Sequence, residues 1–282
     1  MRRILCIVSW LLVLCCLVGC GAPAGSDPTQ APTQLIIEVP MEDPTEESSA
    51  TLEVPSPTAT KTPSPTATKT PSPTTTPKPV QYVPSDVAVG DIVKFGFYEQ
   101  DNNISNGQEE IEWIVLDKKD GKAFFVSKYA LDCQMYNRGS TSVTWETCML
   151  RSWLNTTFYT TAFNANHQPV IADTTLTNPD NSSYGTEGGN NTTDKIFLLS
   201  IDEVKQYFTS HSARQCMATV YAESKGAHTS GSTRISHWWL RSPGDDNNVA
   251  AFVVGGAIAD LGIGVNCVNI AVRPALWINL ES

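Results

Sequence analysis

The sequence is short of the groups that mark most enzymes and metal sites. It has no Cys-x-x-Cys pair, and its four histidines, His167, His211, His228 and His237, miss zinc-finger spacing, which argues against a structural zinc site. It lacks a Gly-x-Ser-x-Gly elbow, a Gly-rich phosphate loop and a His-Glu-x-x-His pair, so hydrolase, nucleotide and zincin chemistry have no local anchor. Positive charge is scarce: 19 Lys and Arg stand against 29 Asp and Glu, for a net charge of −10. No basic patch is present, which argues against nucleic acid as a partner and makes an anionic membrane surface repulsive. No apolar run reaches the ~20 residues that span a bilayer as a helix.

What the chain does hold begins with an export-type leader. Arg2 and Arg3 precede Ile4 to Val18, an almost wholly apolar run of about fifteen residues, the length of a signal h-region. It closes on Leu17-Val18-Gly19-Cys20, which resembles the lipobox of bacterial lipoproteins. By that resemblance residues 1–20 are a lipoprotein signal peptide. Cys20 then carries the lipid that holds the chain on the extracytoplasmic face of the cell membrane, an anchor that needs more than one acyl chain. Simple secretion, with cleavage after Ala22-Pro23-Ala24, is the alternative.

Residues 21–83 cannot build a core. Glu38, Glu42, Asp43, Glu46, Glu47 and Glu53 form an acidic stretch, followed from Pro55 by PSPTATKT, PSPTATKT and PSPTTTPK. Proline fixes φ and deletes backbone donors, so the expected state is a disordered spacer that leans to polyproline II. At about 3.1 Å per residue, Pro55 to Pro79 would hold a domain on the order of 75 Å from its anchor.

Residues 84–282 suit one domain with a full core and hold six of the seven tryptophans. Their four cysteines, Cys133, Cys148, Cys216 and Cys267, could form two disulfides in any of three connectivities or remain buried thiols, and both readings stay open. Asp91–Phe97 alternates like an edge strand, and Asp120-Gly121 between two apolar runs is the strongest hairpin signal in the chain. Trp145, Cys148, Met149 and Trp153 predict a helix over Thr144–Asn155 with Thr144 as N-cap. A second helix is expected over Thr157–Ile171, interrupted near Pro169. Asn178–Thr193, rich in Asn, Ser, Gly and Thr, is a loop long enough to be functional or mobile. Lys195–Leu199 reads as a strand, and Ser200-Ile-Asp-Glu203 is a capping box that starts a helix. Trp238–Arg241 reads as a buried strand, and Ala250–Val254 with Ala257–Ile263 as a hairpin about Gly255-Gly256. Ile270–Ile278 closes the domain as one strand, with Pro274 at a bulge or edge. Helices early and strands late make the fold class α+β.

The segments TWETCMLRSWLN, KIFLLSIDEVKQYF, HWWLRSPG and AVRPALWINL, in this order, resemble a domain family of bacterial surface proteins and lipoproteins that has no assigned function. The resemblance covers about Trp113 to Leu280. That family is similar in turn to the C-type-lectin-like fold, in the branch of sulfatase-modifying factors and retroelement variable proteins. The resemblance implies a C-type-lectin-like head with a mostly antiparallel sheet and two or three helices. It also implies that ligand-facing residues lie between Ser242 and Asn269, an interval holding Asp245, Asp246, Asn247, Asn248, Asp260, Asn266 and Asn269. The apolar run Ala250–Val265 departs from what a display surface needs.

Asp245-Asp246-Asn247-Asn248 offers hard oxygen ligands of the kind calcium takes, but the spacing is not that of an EF-hand, and an ordinary polar turn after Pro243-Gly244 is the favoured reading, with calcium as the alternative. Arg241 and Arg273 follow buried runs and are expected to hold buried carboxylates or fix loops. Trp238 and Trp239 alternate in a strand, so one belongs to the core, while the other, Trp239, could form an aromatic floor under a ligand. An oxidase like the sulfatase-modifying factors would need a reactive cysteine pair, for which Cys216 and Cys267 are the only candidates and carry no matching motif. The expectation is a membrane-anchored extracellular recognition module whose ligand is a glycan or a protein. A cell-envelope scaffold is the alternative, and an enzyme related to sulfatase-modifying factors a further one.

Overall fold

Asp120 and Gly121 take φ of 52° and 69°, the left-handed pair that a two-residue type I′ hairpin demands. The turn belongs to a computed structural model that describes residues 83–280. The expected signal, Cys20 and the stalk repeats lie outside the described residues. Val83, placed above at the end of the linker, is 3% exposed and already packs in the head.

β1 (Ile92–Tyr98) is the edge strand expected from its alternation and pairs antiparallel with β2 (Glu109–Lys119), which turns at Asp120-Gly121 into β3 (Lys122–Ser127). β4 (Asp132–Cys133) leaves for another sheet. The helix expected from Thr144 starts later. Trp145 is buried and its indole N–H donates to Asp194 Oδ2 at 3.0 Å, which holds residues 144–147 in a turn. Cys148 becomes the N-cap, its Sγ accepting from Arg151 N at 3.4 Å. α1 (Met149–Trp153) then continues through a π-helical turn, Leu154–Phe158, into α2 (Tyr159–Ala162). The second helix expected as far as Ile171 therefore ends at Ala162, and Pro169 sits in a separate 3-10 turn, Gln168–Val170.

β5 (Thr174–Leu176) pairs with β6 (Thr192–Asp194), so the Asn-rich loop is the connection of a hairpin. Lys195–Leu199 is not a strand. Ile196 to Leu199 are wholly buried, but the segment meets the sheet through a single bridge, Phe197 to Ala275. The capping box forms as expected: Ser200 Oγ accepts from Glu203 N at 3.1 Å, and the Glu203 carboxylate accepts from Ser200 N at 2.9 Å, starting α3 (Ile201–Tyr207). α4 (His211–Arg214), β7 (Cys216–Met217), α5 (Val220–Ser224), β8 (Thr229–Ser230) and β9 (Ile235–Ser236) follow, with β7, β9 and β8 joined in a small sheet.

β10 (Trp238–Pro243) is buried at every position and is central to a five-stranded sheet. β11 (Val249–Val254) and β12 (Ala257–Gly264) form the hairpin expected about Gly255-Gly256, with β12 at the sheet edge. The closing strand is two strands. Pro274 has no N–H to give to a ladder, so β13 (Ala271–Val272) stays beside β10 and β4, while β14 (Ala275–Asn279) crosses to pair with β3. Strands thus stand at both ends of the described chain, correcting the helices-first order. The fold is α+β with a mostly antiparallel sheet system, the β10–β13 ladder being parallel.

The four cysteines of the head are free thiols. Burial pushes the Cys133 and Cys148 thiols up to about 12. That is the opposite of what an activated thiolate needs.

Candidate ligand-facing surface

β10 ends on Ser242-Pro243 and passes through Gly244 directly into the turn Asp245–Asn248. Gly244 is required there: a Cβ would lie 2.5 Å from Leu261 O. The turn is tied down by backbone bonds from several directions. Gly244 N donates to Val249 O at 3.0 Å, Asp245 N to Leu261 O at 2.9 Å, Val265 N to Asn248 O at 2.9 Å and Val143 N to Asn247 O at 2.9 Å. Asp245 and Asp246 are exposed, and Asn247 and Asn248 half-buried.

The Asn-rich loop supplies the strongest brace. Asn181 is 3% exposed, and its side-chain amide donates to Pro243 O at 2.9 Å, Gly244 O at 3.2 Å and Asp260 O at 2.9 Å. Its Oδ1 accepts from Ser183 N at 2.9 Å, and Ser183 Oγ donates to Asp260 Oδ2 at 2.8 Å. Asn178 Nδ2 closes the base of the loop on Asn190 O at 2.7 Å. Asn181→Ala is expected to cost about 2–3 kcal/mol, because three carbonyls lose one buried donor group. Urea unfolding measures the cost, and hydrogen exchange at Asp245 N–H should accelerate as the turn loosens.

The expected site residues do not all meet. Asp245, Asp246, Asn247, Asn248, Asp260 and Asn266 gather at the end of β10 through the contacts above, Asn266 following Val265 directly. Asn269 belongs to the opposite end of β10, where its carbonyl accepts from His228 N at 2.9 Å and its Oδ1 accepts from the Cys267 thiol at 2.9 Å. There His228 and His237 stack with centroids 4.4 Å apart, and burial, with His228 beside it, pulls His237 down to about 4. Trp239 is corrected outright. It is 0% exposed, packs on Tyr136 and Phe252, and donates its indole N–H to Gln134 O at 2.9 Å. Trp238 is equally buried. Because β10 is covered on both faces, neither ring offers a floor to a ligand.

Arg241 takes the structural role expected of it. Its guanidinium grips Glu203 with both terminal nitrogens, Nη2 to Oε1 at 3.0 Å, and also donates to Leu198 O at 2.9 Å and Thr177 O at 3.3 Å. Arg273 does not. It forms no ion pair among the described residues; its Nε–H donates to Ser127 O at 3.0 Å and the Trp238 ring lies 4.9 Å away. The buried carboxyl of Asp132 lies away from the turn. Burial raises its pKa, while Tyr98 O–H at 2.5 Å and Cys133 N–H at 2.6 Å hold it.

One cluster escaped the sequence reading. Glu99, Asp101 and Glu109 bring carboxylate oxygens within 4.8 Å of one another, whereas Asp245, Asp246 and Asp260 form no such group. The Asp/Asn/Ser/Gly run Asp101–Gly107 was the available signal. Each carboxylate is already engaged: Glu99 accepts from Asn103 N at 2.9 Å, Glu109 from Gln100 N at 2.7 Å and Asp101 from Asn106 Nδ2 at 2.8 Å. The Asn106 amide, then the Asn103 N–H, lower the Asp101 pKa.

The profile of a domain of unknown function, DUF6273, matches residues 120–280. The chain belongs to this family. The DUF6273 domain takes in the 245–248 turn, its Asn181 brace, Arg241 and Arg273, and begins at the β2–β3 hairpin, although β1 and β2 are part of the same four-stranded sheet. The match starts a few residues after the expected Trp113 boundary. No curated protein and no solved structure matches the chain. Among the described residues, no helix is long and apolar enough to cross a membrane.

Proposed function

We propose that this DUF6273 protein is a lipid-anchored recognition module, held at the membrane through Cys20, with a C-type-lectin-like head that binds an extracellular glycan or protein. The observation that carries the reading is the 245–248 turn. It exposes two carboxylates, yet Val143, Leu261, Val265 and Asn181 brace it from three other parts of the chain. A surface ordered before binding loses little entropy when a partner arrives. Leu261, 52% exposed beside Asp245, adds an apolar contact to the polar rim. Asp260 and Asn266 extend the same surface. The ordered antiparallel sheets, the buried Trp strand and the late Arg273 segment support the C-type-lectin-like comparison.

The test is a glycan and protein array probed with the full chain, with and without a calcium chelator. Binding to one class of feature supports recognition, and its loss on chelation assigns a metal to the site. No binding anywhere, together with retention on sedimented cell-wall material, transfers the reading to an envelope scaffold. Cys20→Ser tests the anchor: the chain should move from the membrane pellet to the soluble fraction.

A further inference from the structure

Arg273 is 1% exposed, and its Nη1 is buried with no hydrogen-bond acceptor. Among the described residues its one hydrogen bond is Nε–H to Ser127 O. The comparison with Arg241 is direct. Both arginines follow buried apolar residues, but Arg241 has Glu203 on both terminal nitrogens, whereas Arg273 pairs with no carboxylate among the described residues. The Trp238 and Phe208 rings, 4.9 and 5.2 Å from the guanidinium, offset part of the cost of burying that charge. Burying an ion without a counter-ion nonetheless remains costly.

Arg273 lines a cleft of about 350 Å³ whose walls include Ile114, Lys128, Tyr129, Met217 and Ile235. Lys128 is already paired with Glu112 at 2.8 Å, so the uncompensated charge in the cleft is the single positive charge of Arg273. One surplus charge in a cleft whose walls are mainly apolar, with Gln215 and Thr233 as its neutral polar members, fits a monoanion on an apolar body. The volume, at the low end of the range of small-molecule sites, fits a small one. We infer that this cleft binds a small monocarboxylate, its carboxylate accepting from the Arg273 guanidinium and its apolar part packing on Ile114, Tyr129, Met217 and Ile235. A carboxylate matches the planar fork of a guanidinium. The cleft lies at the start of β10, away from the 245–248 turn, so it stands or falls independently of the recognition reading.

The test titrates the full chain with hexanoate and benzoate, and with the neutral hexanamide and benzamide, reading calorimetric binding and Tm. The acids are expected to bind and to raise Tm, and the amides to do neither. Arg273→Gln should weaken acid binding at least about ten-fold. If that variant does not fold, Met217→Glu decides. Met217 is 45% exposed, so the change is compatible with folding, and a carboxylate on the cleft wall competes for the same guanidinium. Its acid affinity should fall by a similar factor. The inference is overturned if the amides match the acids, if Met217→Glu binds the acids as the native chain does, or if no acid binds. Inorganic phosphate binding as well as the acids would also overturn it, because phosphate has no apolar part.

Discussion

Arg241→Ala is expected to destabilise the head by about 3–5 kcal/mol, since it removes the buried end of an ion pair and leaves the partly buried Glu203 carboxylate without its partner. Glu203, which also caps α3 through Ser200, would lose both guanidinium bonds. Leu198 O and Thr177 O would lose donors as well. Thr177 opens the loop that carries Asn181, so the loss should reach the 245–248 turn, and hydrogen exchange should quicken at Gly244 and Asp245. Urea unfolding reads the first effect. The paired change Arg241→Met with Glu203→Leu should recover much of the stability, because apolar replacement of a buried pair is often neutral. A small loss from Arg241→Ala, within the range of an exposed salt bridge, would remove Arg241 from this role.

Trp239→Ala carries the second large effect, about 3–5 kcal/mol, from lost burial and the cavity left behind. Its indole N–H also leaves Gln134 O without a donor. Trp239→Phe should cost less and leave array binding intact, because the ring touches Tyr136 and Phe252 rather than solvent. A ligand platform would behave in the reverse way, losing binding while keeping stability. Chemical unfolding and array binding of the two variants separate the roles.

The features legible in the sequence are those decided by neighbours along the chain. Asp120-Gly121 and Gly255-Gly256 announce their turns through the positive φ they accept, and Ser200 and Glu203 bond across one helical turn. The features misread depend on partners far away. Thr144 has N-cap chemistry, yet Trp145 reaches Asp194 and the helix starts at Met149. Lys195–Leu199 has strand composition, but its carbonyls serve Asn155, Arg241 and the backbone of Arg241. Pro274, expected at a bulge or edge, stands where the chain passes from one sheet to another.

The site divides in the same way. The exposed Asp245-Asp246 turn follows from local composition, whereas Asn181, deep in a loop that reads as polar filler, is visible as its clamp only in three dimensions. Arg241 and Arg273 look alike in sequence because each follows a buried run. Only the fold puts Glu203 against one and a cleft against the other.

The most direct test of the central claim compares array binding by the native chain with that of the Asp245→Ala, Asp246→Ala, Asn247→Ala, Asn248→Ala variant, after urea unfolding has matched their stabilities. If the turn is the recognition surface, the native chain binds a glycan or protein feature and the variant loses it. If the variant keeps every signal of the native chain, the turn is a solvated connection between β10 and β11 and the ligand binds elsewhere.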